Sequence, residues 1–175
     1  AAQPQGHGVA KDAVHTMLGH LTDAFLLTAV SLATDSERKR NSNPRKIYPV
    51  DPGLIQAFDR TGRANLGHAL ETVVLNELER RKAEVGYVKT DEGLEVDFLV
   101  RHPDTGEELV QVCADPSDAA TLERELRALA AAAKQHRHAV RRLLVLDSSA
   151  LPRIEAPGVR MQPAYEWLLA APGAI

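Results

Sequence analysis

A chain of 175 residues, 44% of them hydrophobic, is long enough for one domain or two small ones around a real core. Its longest apolar runs, Ala24 to Val30 (broken by Thr28) and Ala128 to Ala133, fall far short of the roughly 20 residues a bilayer span needs. A formal net charge of -3 excludes polyanion binding through overall charge, and a single cysteine excludes both an internal disulfide and a cysteine-based zinc site. With no apolar leader either, the expected compartment is a reducing cytoplasm.

Residues 1–8, rich in Gln, Pro and Gly, read as irregular or as the remnant of an upstream element, and a start at Ala1 without Met suggests a piece of a longer polypeptide. From Lys11 to Phe25 the residues Val14, Met17, Leu18, Leu21 and Phe25 recur at helical spacing, with Asp12 in the acidic-favoured first turn. Leu26 to Ala33 reads as a strand, Glu37 to Lys46 as a loop, and Lys46 to Val50 as a returning strand. Arg38, Lys39, Arg40, Arg45 and Lys46 fall within nine residues of that loop. They form a local basic patch and the candidate contact for DNA; a solvated loop tip is the ordinary alternative. Helix, hairpin and charged tip together resemble the second half of a winged helix. Asp51-Pro52-Gly53-Leu54 turns the chain into a short helix ending near Phe58. The stretch 59–65, with Gly62, then reads as a boundary between two units, 1–62 and 63–175.

The second unit opens with a helix whose stripe Leu66, Leu70, Val73, Val74 and Leu78 leaves Glu71 at its edge. Val85 to Lys89 reads as a strand, Asp91-Glu92-Gly93 as its turn, and Glu95-Val96-Asp97-Phe98-Leu99 as the next strand. Period-two alternation puts Glu95 and Asp97 on one face and Val96, Phe98 and Val100 on the other. Val110 and Val112 likewise alternate with Gln111 and Cys113, after a Pro-Asp-Gly turn over 102–106. Paired strands would therefore gather Asp97, Gln111 and Cys113 on one face. Asp118 caps a helix reaching about Lys134, with Leu122, Leu126 and Leu129 inward. Arg142 to Asp147 is a central covered strand, Val159 to Gln162 a short last one, and Ala164 to Ala170 a closing helix with Trp167. His136 and His138 beside Arg137, Arg141 and Arg142 read as a second basic patch or, as the ordinary alternative, a solvated helix end. Ser148-Ser149 lacks the glycines of a nucleophile elbow, and Cys113 has only His68, three residues before Glu71, to serve as a base.

A helical Glu71, a strand Asp97 and the triplet Gln111-Val112-Cys113 resemble the PD-(D/E)XK nuclease superfamily. There a Glu, an Asp and a (Glu or Gln)-X-Lys bind a divalent metal and activate water. Cys113 stands where the Lys is expected, and a thiol with a reference pKa of about 8.5 is neutral where the lysine is a cation. Gln111 also removes a charge from the cage, so the resemblance implies at most a weak Mg²⁺ site on Glu71, Asp97 and the Val112 carbonyl. The segments Asp23-Ala24-Phe25-Leu26-Leu27, Asn43 to Tyr48, Val50 to Leu54, Leu75 to Leu78, Glu95 to Val100, Gln111 to Cys113 and Trp167-Leu168-Leu169 are similar to a C-terminal domain of unknown function carried by bacterial and archaeal AAA-type ATPases. That resemblance covers nearly the whole chain. It implies an α/β fold: a PD-(D/E)XK nuclease-like mixed sheet flanked by helices, preceded by a partial winged-helix element and downstream of an ATPase module. This chain has no Gly-x-x-x-x-Gly-Lys-(Ser/Thr), hence no nucleotide site of that kind. Two functions follow as expectations. One is a non-catalytic region binding nucleic acid or a partner through a degenerate site; the other is a metal-dependent endonuclease with an altered triad, for which Lys89 is the nearest substitute cation in sequence.

Overall fold

A computed structural model describes residues 10–58, 65–102, 106–151 and 156–170. The expected irregular start, the boundary at 59–64 and the turn residues 103–105 lie outside the described residues. The elements in chain order are α1 (Lys11–Asp23), β1 (Leu27–Val30), α2 (Glu37–Ser42), β2 (Lys46–Pro49), α3 (Gly53–Phe58), α4 (Leu66–Arg80), β3 (Glu84–Lys89), β4 (Glu95–His102), β5 (Gly106–Cys113), α5 (Ala119–Ala132), β6 (Val140–Val145), β7 (Val159–Pro163) and α6 (Ala164–Leu169). Strands β3 to β7 form one sheet in sequence order, and β1 pairs with β2 in a separate hairpin. The β3·β4 and β4·β5 pairs are antiparallel, while β5·β6 and β6·β7 are parallel. The protein is thus mixed α/β, with a five-stranded mixed sheet flanked by helices. Among the described residues no helix is long and apolar enough to cross a membrane.

Helices cover both sheet faces, so two cores form. On one side Leu70, Val74 and Leu78 of α4 pack with Phe98, Val100, Val110 and Trp167. On the other, Leu122 and Leu129 of α5 pack with Leu99, Leu109 and Leu143. The α4 stripe differs from the expected one: Leu66 is exposed beside its Asn65 N-cap, Val73 is only half-buried, and Leu75 is buried. In α5, capped by Asp118 as expected, Glu125 takes a buried place while Leu126 is only partly covered.

Strand β4 corrects the simple alternation. Gly86 pairs with Leu99 and Val88 with Val96, so Tyr87 alone faces both Asp97 and Phe98. Such a two-against-one bulge resets the pleat. Val96 consequently joins the α5-side core while Phe98 and Val100 join the α4-side core, rather than the three sharing a face. Leu146, beyond the end of β6, is 39% exposed instead of belonging to the buried strand.

The N-terminal part is stitched to the sheet rather than hung from it. Beyond β1, the Ala33 N–H donates to the Tyr87 carbonyl and the Tyr87 N–H to that of Ser31. Close approach here depends on Gly86, where an added Cβ would lie 2.9 Å from the Ala33 Cβ. Two local expectations change. The basic stretch is not all loop, because Ser36 accepts from the Lys39 N–H and caps α2. Helix α1 stops at Asp23, since Phe25 turns left-handed with φ 55° and the Leu26 N–H closes back on the Leu21 carbonyl. Its stripe faces outward, with Met17 and Phe25 exposed.

Candidate functional site

A cleft of about 910 Å³ opens where β4 and β5 part, and Glu71, Asp97, Gln111 and Cys113 all line it. Parting strands leave ladder groups without backbone partners, and side chains take their place. The Gln111 Oε1 accepts from the Asp97 N–H at 3.2 Å, and the Asp97 Oδ2 accepts from the Val112 N–H at 3.0 Å. Asp97 and Gln111 are thereby fixed by each other's strands.

The cation beside Asp97 comes from outside the sheet. Lys46, on β2, places its ammonium 2.8 Å from Asp97 Oδ1 and 3.0 Å from Glu95 Oε1. Burial alone would lower the lysine, but the Asp97 charge and the hydrogen bonds to Asp97 and Glu95 outweigh it and hold Lys46 above its ordinary value. Lys46 therefore parts company with the basic patch: Arg38, Lys39, Arg40 and Arg45 are exposed, whereas its ammonium is committed to carboxylates. Arg40 also donates to the Thr34 carbonyl at 2.7 Å. Lys89, the nearest substitute in sequence, is exposed on β3 and is not among the residues lining the cleft.

Tyr48 follows Lys46 by two residues and enters from the same strand face. Its hydroxyl donates to Glu71 Oε2 at 2.8 Å, and its ring stacks on His68 at 5.0 Å and leans on Phe98. Burial and then the Asp97 charge push the Glu71 carboxyl up to about 7 against the opposing pull of Lys46 and Tyr48. Burial raises the Tyr48 hydroxyl as well, and burial followed by the Lys46 charge lowers His68. On the α5 side, Gln111 Nε2 donates to Glu125 Oε2 at 2.6 Å. Burial, and then Glu125, push the Cys113 thiol up to about 11, so it is neutral at physiological pH. Cys113 cannot serve as the cation of a (Glu or Gln)-X-Lys triplet.

A divalent metal does not fit the donors as they stand. Asp97 has one oxygen on the Lys46 ammonium and the other on a backbone N–H, and Glu71 has one on Tyr48. Among the described residues, no three His, Cys, Asp or Glu side chains are grouped as a metal site needs. The arrangement is a hydrogen-bonded and only partly compensated network: carboxylates on the sheet and on α4, met by one ammonium and a phenol from the hairpin.

Residue alternation identifies Glu71, Asp97, Gln111 and Cys113, but it misses Glu125 in the cleft lining, and Lys46 and Tyr48, which bond Asp97 and Glu71 without lining the cleft themselves. For Glu125 a signal existed, since it lies three residues after Leu122 and four before Leu129, on the buried stripe of α5. Comparison of the chain with protein-family models, with curated proteins and with solved structures finds no match.

Proposed function

We propose that this chain is the C-terminal region of an AAA-type ATPase. In this reading a partial winged-helix element with a basic face precedes a PD-(D/E)XK nuclease-like domain with a degenerate site, and the region binds nucleic acid or a partner without hydrolysing it. The order α4, β3, β4, β5, α5, β6 around a mixed sheet supports the nuclease-like reading, as does the convergence of Glu71, Asp97, Gln111 and Cys113 on one cleft. The observation that carries the non-hydrolytic part is the state of Asp97. Both of its oxygens are engaged within the protein, and the residue two places beyond Gln111 is a neutral thiol. Phosphodiester cleavage needs preorganised charge aimed at the attacking and leaving oxygens. Here that charge is spent on internal pairs. The exposed Arg38, Lys39, Arg40 and Arg45 support contact with a phosphate backbone.

An endonuclease with an altered triad is the second reading, and it draws on the same lysine: Lys46 supplies a cation next to Asp97 that the strand sequence lacks. Incubation of the purified chain with plasmid and single-stranded DNA, in Mg²⁺ or Mn²⁺, decides between them. The expected result is no cutting above that of an Asp97→Ala control. Cutting abolished by Asp97→Ala would establish the endonuclease, whereas equal cutting by both proteins identifies a contaminant.

A further inference from the structure

Lys46 is not a surface lysine that has drifted onto a nearby acid. Its side chain is only 20% exposed, and the strand that bears it is pinned at several points. The Tyr87 hydroxyl donates to the Pro44 carbonyl two residues before Lys46, and the Asn76 side-chain amide donates to the Val50 carbonyl just after β2. Gly86 lets the chain beyond β1 pack directly against β3. With the strand so held, the ammonium sits between Glu95 and Asp97, which are two residues apart on β4, at 3.0 and 2.8 Å. Asp97, fixed by the Val112 N–H, and the 44% exposed Glu95 converge on one point and form an oxygen pocket for a hard cation, and such ions are often held by one or two carboxylates with water filling the other positions.

We infer that Lys46 is a resident cation: its ammonium fills the position between Asp97 and Glu95 that a divalent ion would take, so that the N-terminal hairpin masks a latent metal site. The inference rests on the reading of the cleft as a nuclease-like site without hydrolytic use, and it accounts for why the expected metal does not fit. Removing the ammonium leaves two adjacent carboxylates, with Glu71 nearby, uncompensated in a partly buried cleft. A bound cation would relieve them. Tyr48 and Cys113 take no part in the exchange, since neither contributes charge.

The test is Mn²⁺ titration of the chain by calorimetry, with free Mn²⁺ followed in parallel by its paramagnetic resonance signal. Wild type is expected to show no saturable binding up to about 5 mM, whereas Lys46→Met should bind one ion per chain at least roughly tenfold more tightly, within the weak range of sites with few carboxylates. Adding Asp97→Asn to Lys46→Met should abolish the gain. A folded Lys46→Met protein with wild-type affinity overturns the inference, as does a wild-type chain that already binds as tightly as the variant. Where Lys46→Met does not fold alone, the same expectation is read as rescue: millimolar Mn²⁺, but not NaCl of equal ionic strength, should restore cooperative unfolding, and its failure to do so overturns the inference too. These outcomes are independent of DNA cutting by wild type, which bears only on the non-hydrolytic reading.

Discussion

Glu71 is a carboxyl on which burial and the neighbouring Asp97 act against Lys46 and Tyr48. Burial and the Asp97 charge hold it near 7 in the folded protein, against an ordinary value of 4.5. A carboxyl raised on folding contributes stability that is fully present below its unfolded value and is lost as the pH rises through the folded one. Between pH 5 and pH 8 the ionising Glu71 therefore costs wild type about 2 kcal/mol. Glu71→Gln, which has no such charge to bury, should gain on wild type by that amount over the same interval in urea unfolding. His68, whose lowered value acts with the opposite sign, is present in both proteins and cancels in the difference. Equal pH slopes for the two proteins would show that Glu71 is already ionised at pH 5. At this scale the sequence is a partial guide. Strand alternation and helical spacing name Glu71, Asp97, Gln111 and Cys113, because each relation is local. Lys46 and Asp97 are 51 residues apart, and Tyr48 and Glu71 are 23 apart. No local period relates such pairs, so their meeting depends on how the hairpin docks.

At the scale of elements, the helices and strands from α4 to α6 are legible because their apolar periods are strong, whereas the bulge at Asp97 and Phe98 is not. Both residues fit a regular strand, and only the β3 register shows that Tyr87 opposes two of them. Phe98 is nonetheless fully buried. Phe98→Ala should cost about 3 to 5 kcal/mol through lost transfer energy and the cavity left behind, read as a lower urea midpoint with an unchanged slope. A loss under about 1 kcal/mol would mean that the α4-side core collapses into the space. The junction between hairpin and sheet gives a sharper test. Gly86→Ala puts a Cβ 2.9 Å from that of Ala33, an overpacking worth about 1 to 3 kcal/mol. Adding Ala33→Gly removes that Cβ but leaves the Ala33 Cα at 3.1 Å and its N at 3.2 Å, so it should recover part of the loss and no more, the coupling expected of residues in contact. Additive losses in the double variant would place the strain elsewhere. The basic stretch between β1 and β2 is legible in composition but not in conformation: Ser36 is an ordinary N-cap residue, yet the six residues of α2 carry no apolar stripe to announce a helix.

At the scale of the whole molecule, the net charge of -3 hides an uneven distribution. Glu71, Glu95, Asp97 and Glu125 line the cleft, while Arg38, Lys39, Arg40 and Arg45 lie exposed on and just beyond α2. A phosphate backbone drawn to this protein would meet the α2 face first, because the cleft is lined by more carboxylates than cations, its Arg124 is paired with Glu125, and Lys46 beside it is paired with Asp97 and Glu95. A second cationic surface, lined by Lys134, Arg137, Arg141 and Arg160, lies by the C-terminal end of α5. Its lysine is paired with Glu92, and Arg141 donates to the Pro157 carbonyl. Each phosphate contact releases condensed counterions, so the slope of log affinity against log salt counts the cations engaged, at about 0.9 per contact for duplex DNA and about 0.7 for a single strand. Replacing Arg38, Lys39 and Arg40 together by Ala should weaken duplex binding at low salt and flatten that slope by roughly 2 to 3. Lys46→Met should leave the slope unchanged, because its ammonium faces Asp97 and Glu95 rather than solvent. Fluorescence anisotropy of a labelled duplex over a salt series reads both. If the triple variant keeps the wild-type slope, the contact lies away from α2, and the same series on Arg137→Ala with Arg160→Ala reports whether the surface beside α5 carries it.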